Sequence, residues 1–200
     1  MKNIFRLFSI FCLGVSFNAN AISIDLIADN TAINLGDSVE VQVRISGLDG
    51  NPALGVYDVN FNYDASLFSL GNVSWGDTLQ GNQLDLLGFG SLQDSNGGNG
   101  WLNLFELSFD GAMDLEMLQA GEFTLFSILF NAIAIGHGEF SLTANALGDA
   151  YGNDLLIGSL TSTQVNVNSV SVPEPTSVLL LLLGLLAVAA LRAKLVRSSK

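Results

Sequence analysis

His137 is the one histidine in 200 residues, and it stands between Gly136 and Gly138. A nucleophile–histidine–carboxylate arrangement needs such an imidazole, but no Gly-x-Ser-x-Gly elbow accompanies it, and no second histidine completes a metal triad. Its glycine neighbours make it a surface-turn histidine. Cys12 is also alone. It lies in an N-terminal apolar run without the small residues that precede a lipidated cysteine, so the mature chain has no thiolate, disulfide or cysteine zinc site. Carboxylates are plentiful at nineteen. With that many acids, some pair falls at the ~5–10 Å spacing of a glycosidase by accident. No residue is assigned a catalytic role, and the chain reads as non-enzymatic.

Two loops gather oxygen ligands of the kind a hard cation takes, Asp94-Ser-Asn96-Gly-Gly-Asn99 and Asp149-Ala-Tyr-Gly-Asn153-Asp154. Neither fits the EF-hand pattern, and Asx-rich turns on an acidic surface have the same composition. Calcium is the only cofactor that comes into question, and no metal ligand is assigned. Trp75, Trp101, Tyr57 and Tyr151 are the aromatics that could stack on sugar rings. Trp101 heads a strand and is expected in the core. Trp75, beside a turn, is the better candidate for exposure, although packing is expected for it as well.

Charge narrows the partners. Between residues 22 and 175, Arg44 is the one basic residue against all nineteen acids. Such a field repels phosphate backbones and favours cations, so nucleic acid is excluded.

The ends carry targeting signals. Residues 1–21 combine Lys2 and Arg6, an apolar run over Leu7–Phe17 and the small-x-small site Ala19-Asn-Ala21, the three parts of a secretory signal peptide cleaved after Ala21. At the other end, residues 169–175 form a linker, residues 176–196 a transmembrane helix and residues 197–200 a basic tail. The uncharged core of that helix, Val178–Leu191, is short for a bilayer, but Arg192 and Lys194 can snorkel to the headgroups, and Arg197 follows. Positive charge favours the cytoplasmic side, so the acidic domain faces out.

Pro173-Glu174-Pro175 stands directly before the helix. Together with the helix and the basic residues Arg192, Lys194 and Arg197, it resembles the PEP-CTERM sorting domain of bacterial envelope proteins. Two prolines hold the segment extended, as a processing cleft requires. The resemblance implies recognition by an exosortase, cleavage near Pro173–Pro175, and delivery to the cell surface or extracellular matrix. The spaced basic residues depart from the family's clustered arginines.

Between the signals, residues 22–168 alternate with period two. Ile22–Leu26, Val39–Ile45 and Val59–Tyr63 do so cleanly, and Leu84–Phe89, Trp101–Phe109, Phe123–Phe130, Phe140–Ala146 and Leu160–Val167 complete eight or nine expected strands. Gly47–Asn51 and Asn96–Gly100 read as turns, and Ala112–Ala120 as one or two helical turns. This is an all-β pattern, an antiparallel jelly-roll β-sandwich.

Gly36-Asp37 before the Val39–Val43 strand, Phe61-Asn-Tyr63-Asp64-Ala-Ser-Leu67, Gly121-Glu-Phe123 through Phe130, and the Asp149…Asp154 loop together resemble the cohesin domains of the carbohydrate-binding-like sandwiches. Ala65 stands where that family prefers proline. The resemblance implies that Phe61, Tyr63 and Leu67 point inward. It also implies a non-catalytic module that docks a dockerin-like protein or binds a polysaccharide. A surface-glycan hydrolase and a calcium-dependent self-associating matrix subunit are the alternatives.

Overall fold

The computed structural model describes residues 21–49, 52–170 and 180–188. Chain order runs β1 (Ile22–Ala28), β2 (Ala32–Asn34), β3 (Ser38–Ser46), β4 (Leu54–Asn62), β5 (Phe68–Trp75), β6 (Ser91–Gly98) and β7 (Trp101–Ser108). Then come α1 (Ala112–Leu118), β8 (Phe123–Ala132), β9 (Gly136–Asp149), β10 (Ile157–Leu160) and β11 (Thr163–Asn168). They form a five-stranded sheet, β10-β1-β3-β8-β5, and a six-stranded sheet, β2-β11-β9-β4-β7-β6.

Alternation builds the core between them. Val39, Val41, Val43 and Ile45 of β3 are fully buried, as are Tyr57, Val59 and Phe61 of β4, while the residues between them face out. Phe61, Phe68, Phe130 and Phe140 stack at one end, with Phe130–Phe140 and Phe68–Phe140 centroids each 4.8 Å apart. Tyr57, Trp75 and Phe126 form a second cluster at 6.0–6.4 Å. As the cohesin resemblance implied, Phe61 is buried, and Tyr63 and Leu67 pack against the core. Gly138 is needed for this packing, because a Cβ there would run into the Phe68 ring.

The structure departs from the expected all-antiparallel sandwich at the ends of the domain. β1 pairs with β10, and β2 with β11, in parallel. The first and last segments each cross from one sheet to the other and run side by side in the same direction. Thr161 clamps the crossing: its N–H donates to Ile24 O at 3.0 Å, and its hydroxyl donates to Asp25 Oδ1 at 3.0 Å. The expected Leu160–Val167 strand is therefore two, β10 and β11.

Leu84–Phe89 is not a strand. Leu84 enters the core, but the N–H groups of Leu86 and Leu87 donate to Asp110 Oδ2 at 2.6 and 3.3 Å, and Gly90 N–H donates to Asp85 Oδ1 at 2.8 Å, closing a compact loop. Conversely, β5 and β6 are strands that alternation did not signal. Both are edge strands, and every residue of β6 is at least partly exposed. The Asn96–Gly100 turn shrinks to Asn99-Gly100, with Gly100 at φ +84°. His137 lies exposed within β9, opposite Asn166 of β11, not in a turn.

Residues 180–188 are helical and belong to a separate unit. They fall inside the expected 176–196 span. Among the described residues, no helix is long and apolar enough to cross a membrane. The leader residues through Asn20, the Pro-Glu-Pro segment and the basic tail lie outside the described residues.

Candidate docking face

The outer face of the six-stranded sheet follows from the same alternation that fills the core. On β4, Asp58, Asn60 and Asn62 point away from Tyr57, Val59 and Phe61; on β7, Trp101, Asn103, Phe105 and Leu107 point away from Leu102, Leu104 and Glu106. Register places Asn60 opposite Asn103 and Asp58 opposite Phe105, and β6 adds Leu92 opposite Leu107. A register shift between Asp58 and Val59 in the pairing with β9 sets Asn145 beside them.

Four short polar side chains thereby meet across three strands. Asn103 Nδ2 donates to Asp58 Oδ1 at 2.6 Å and to Asn60 Oδ1 at 3.0 Å. Asn145 Nδ2 donates to the same Asp58 oxygen at 2.9 Å, and Asn60 Nδ2 donates to Asn145 Oδ1 at 3.0 Å. Apolar side chains flank this centre, with Leu92 and Trp101 exposed. Trp101 is thus a surface residue and not the expected core residue, whereas Trp75 packs on Tyr57 and Phe126. Tyr57 is buried, so it offers no sugar platform; Tyr151 is exposed.

Beneath this face lies a buried carboxylate. Glu106 is fully enclosed and accepts from Tyr57 Oη at 3.0 Å, Asn82 Nδ2 at 2.5 Å, Ser91 Oγ at 2.6 Å and Gln93 Nε2 at 2.9 Å. It ties the 76–90 connection and edge strand β6 to the core. Burial, and then the negative charge and hydrogen bond of Glu106, push the Tyr57 hydroxyl well above its ordinary range.

Among the described residues, the two oxygen-rich loops do not form a comparable cluster. The 94–99 segment is mostly strand β6, and the Asp149 carboxylate is already occupied by Asn153 Nδ2, Asn153 N–H and Tyr151 N–H. Those donors hold Asp149 below its ordinary range, as the Ser66 hydroxyl and N–H do for Asp64. Burial works upward on Asp77, but hydrogen bonds from the N–H groups of Gln80 and Leu79 and from Thr124 together more than offset it. Among the described residues, no group of three or more metal-ligating side chains converges. A cleft of about 480 Å³ lies between Leu48, Asp49 and α1. Its Gln119 amide is bound to Leu54 and Gln83, and Glu116 accepts from Tyr151 Oη at 3.0 Å.

Of the expected site residues, Ala21, the last residue of the expected leader, is the first described residue, exposed and one position before β1. Ala19, Pro173, Glu174, Pro175, Arg192, Lys194 and Arg197 lie outside the described residues. The Asp58–Asn60–Asn103–Asn145 cluster escaped the reading of the sequence. Its one local signal is Asp58-x-Asn60-x-Asn62, an outward row of short amide and acid side chains in a β-strand, where these types are depleted.

Residues 26–95 match the family model of the cohesin domain, and residues 171–194 match the PEP-CTERM protein-sorting motif. The chain thus joins a cohesin-like sandwich to a PEP-CTERM motif. Among solved structures it is similar to the cohesin module of a Clostridium perfringens family 33 glycoside hydrolase, at 17% identity and a TM-score of 0.58. That alignment covers 75% of this chain and 98% of that one. A type II cohesin domain from the cellulosome of Acetivibrio cellulolyticus aligns at 14% identity, TM-score 0.59, over 73% and 95% of the two chains. A type I cohesin solved in complex with a dockerin, from Clostridium thermocellum, aligns at 18% identity, TM-score 0.56, over 74% and 100%. No curated protein matches the chain.

Proposed function

We propose that the chain is an exported, exosortase-sorted protein of the cell envelope or extracellular matrix, whose sandwich is a non-catalytic docking module for a dockerin-type protein. The partner sits on the outer face of the six-stranded sheet. The observation that carries this reading is the Asp58–Asn60–Asn103–Asn145 cluster on an open strand face of a cohesin-like sandwich. Short side chains lose little rotamer entropy when covered, and their unused donors and acceptors can exchange water for a partner's backbone. The flanking Trp101, Phe105, Leu92 and Leu107 supply apolar area around this polar centre, and aromatic side chains of this kind are enriched at interfaces.

Export and sorting follow from the two ends. The leader 1–21 is removed after Ala21, the 176–196 helix holds the chain in the membrane, and an exosortase cuts at Pro173-Glu174-Pro175. The docking domain 22–168 is then released to the surface or matrix. A hydrolase would need a carboxyl pushed upward in a cleft. The carboxylates with displaced pKa values, Asp64, Asp77 and Asp149, are held down instead.

The test is cross-linked capture from the source organism's secreted proteins and polysaccharides, using the full chain in phosphatidylcholine nanodiscs, with hydrogen exchange mapped in the captured complex. New protection on β4, β7 and β9 by a protein, lost in Asn103→Arg, is the expected result. A captured polysaccharide, protection confined to the five-stranded face, or no specific capture overturns the reading.

A further inference from the structure

α1 is amphipathic in an unusual sense. Leu115 is its one buried residue, while Met113 and Met117, one turn apart on another stripe, are 72% and 78% exposed. The loop that Asp110 holds through Leu86 and Leu87 lies next to the start of this helix, and it carries the exposed Leu87 and the 70% exposed Phe89. The pairing of Ser91 with Ser108 brings the ends of that loop and of β7 together, where Phe109 is also exposed. Leu87, Phe89, Phe109, Met113 and Met117 therefore gather at one end of the sandwich. This shelf continues the docking face along the outward positions of β7, where Phe105 and Leu107 follow Trp101 and Asn103, and Phe109 comes just past the end of the strand. Exposed apolar residues scattered singly need no explanation, but a contiguous set with two methionines marks a contact surface that can repack around a partner.

Charge decides what covers it. Asp85, Asp110, Asp114 and Glu116 belong to the loop and helix that form the shelf. The domain's one basic residue, Arg44, is on β3 in the other sheet, paired with Glu122. An anionic membrane surface and a second copy of this chain are repelled by the same field. A saccharide would need hydrogen-bonding groups that this row of Met, Phe and Leu lacks. We infer that the Met113–Met117 shelf extends the docking face and receives a basic amphipathic helix of the docking partner. The helix lays its apolar side on the two methionines and Phe109, and sets Lys or Arg against Asp114 and Glu116. This inference rests on the docking reading and supplies the chemistry of its partner.

The chain has three methionines, and Met1 lies in the leader, so methyl-labelled methionine reports on the shelf almost alone. The full chain in phosphatidylcholine nanodiscs is titrated with a Leu/Lys amphipathic helix of about 14 residues, long enough to be helical, and with its Leu/Glu counterpart. The Leu/Lys helix is expected to shift both methyl signals to saturation, and the Leu/Glu helix to leave them in place. Met113→Gln with Met117→Gln weakens binding about tenfold or more, the effect of removing central apolar anchors. Methyl signals that stay fixed while the Leu/Lys helix binds overturn the shelf, as do signals that move with protein concentration alone or only with anionic lipid. If the double variant leaves capture of the natural partner intact while Asn103→Arg abolishes it, the shelf fails and the docking face stands. If the shelf binds the helix but Asn103→Arg does not affect capture, the docking face fails and the shelf stands alone.

Discussion

The two outer faces of the sandwich are built on the same core and differ in what they expose. The five-stranded face carries Asp25, Glu40, Gln42 and Arg44. Gln42 Nε2 donates to Glu40 Oε1 at 3.2 Å, Arg44 pairs with Glu122, and Asp25 stands opposite Arg44. These are mostly long, mixed-sign side chains that are costly to immobilise and to strip of water. The six-stranded face shows short amides, one shared aspartate and exposed Trp and Leu, with no cation from residues 22–168 except Arg44 on the opposite sheet. The five-stranded face also exposes Ile27 and Leu129, but it sets them among charged side chains of mixed sign, whereas the six-stranded face centres on short polar groups that a partner can complete. A fold with two chemically distinct faces can keep one soluble while the other binds.

The largest expected effect tests whether the docking face depends on its buried support. Glu106→Ala strands the Tyr57 hydroxyl in the core and opens a small cavity, so it should cost about 3 kcal/mol of stability, read from urea denaturation. Hydrogen exchange in β6 and the 76–90 connection should rise while β1, β3 and β8 stay protected. Uniform loss across both sheets would break the distinction between the faces. Next in size is docking itself. Asn103→Arg should weaken partner binding about thirtyfold or more, the effect of a central hot spot, while Glu40→Arg on the other face leaves it within about twofold. Equal losses from the two would show that the faces do not divide the labour.

Legibility in the sequence follows the same division. Residues facing the core announce themselves: Val39, Val41, Val43 and Ile45 could alternate so strictly only as a strand with one buried side. The edge strands could not be read that way, because Ser91–Gly98 buries no residue, and β5 is interrupted at Gly71, where a Cβ would approach Leu129 O at 2.7 Å. Leu84–Phe89 misled because its apolar residues divide between core and surface, and its backbone donors are met by Asp85 and Asp110. The polar cluster was hidden for a different reason. Asp58 and Asn145 are 87 positions apart and meet through a register shift that no local pattern encodes. The PEP-CTERM motif is legible from the sequence alone, since the residues that match it, 171–194, form one continuous stretch.

A smaller effect separates the hydroxyl of Tyr57 from its ring. Tyr57→Phe keeps the stacking with Phe126 but leaves Glu106 one donor short, which should cost about 1–2 kcal/mol at neutral pH. The pH dependence has a definite sign. The Tyr57 pKa is raised in the folded state, so its contribution is whole below the unfolded value of about 10 and is lost as pH rises toward the folded value. Wild-type stability should therefore fall above about pH 10 more steeply than that of Tyr57→Phe, and the gap between them should close. Parallel curves would mean that the Tyr57 hydroxyl is not enclosed beside Glu106.

The smallest effect belongs to the solvated face and checks that it is as inert as its composition implies. Arg44 and Glu122 are both largely exposed, with 42% and 54% of their side chains accessible, so the contact itself should be worth no more than about 0.5 kcal/mol. Arg44 is nevertheless the only positive charge set against the acids of residues 22–168, and removing it raises their mutual repulsion. Arg44→Ala should consequently lower the thermal midpoint slightly at low salt, by an amount that disappears near 1 M salt, where the Debye length falls to about 3 Å. Glu122→Gln removes the same contact while relieving repulsion, so its midpoint should stay level or rise. If both variants lose stability equally, and the loss persists in high salt, the pair is a structural bond, and the five-stranded face carries more of the fold than its exposed, mixed-sign chemistry implies.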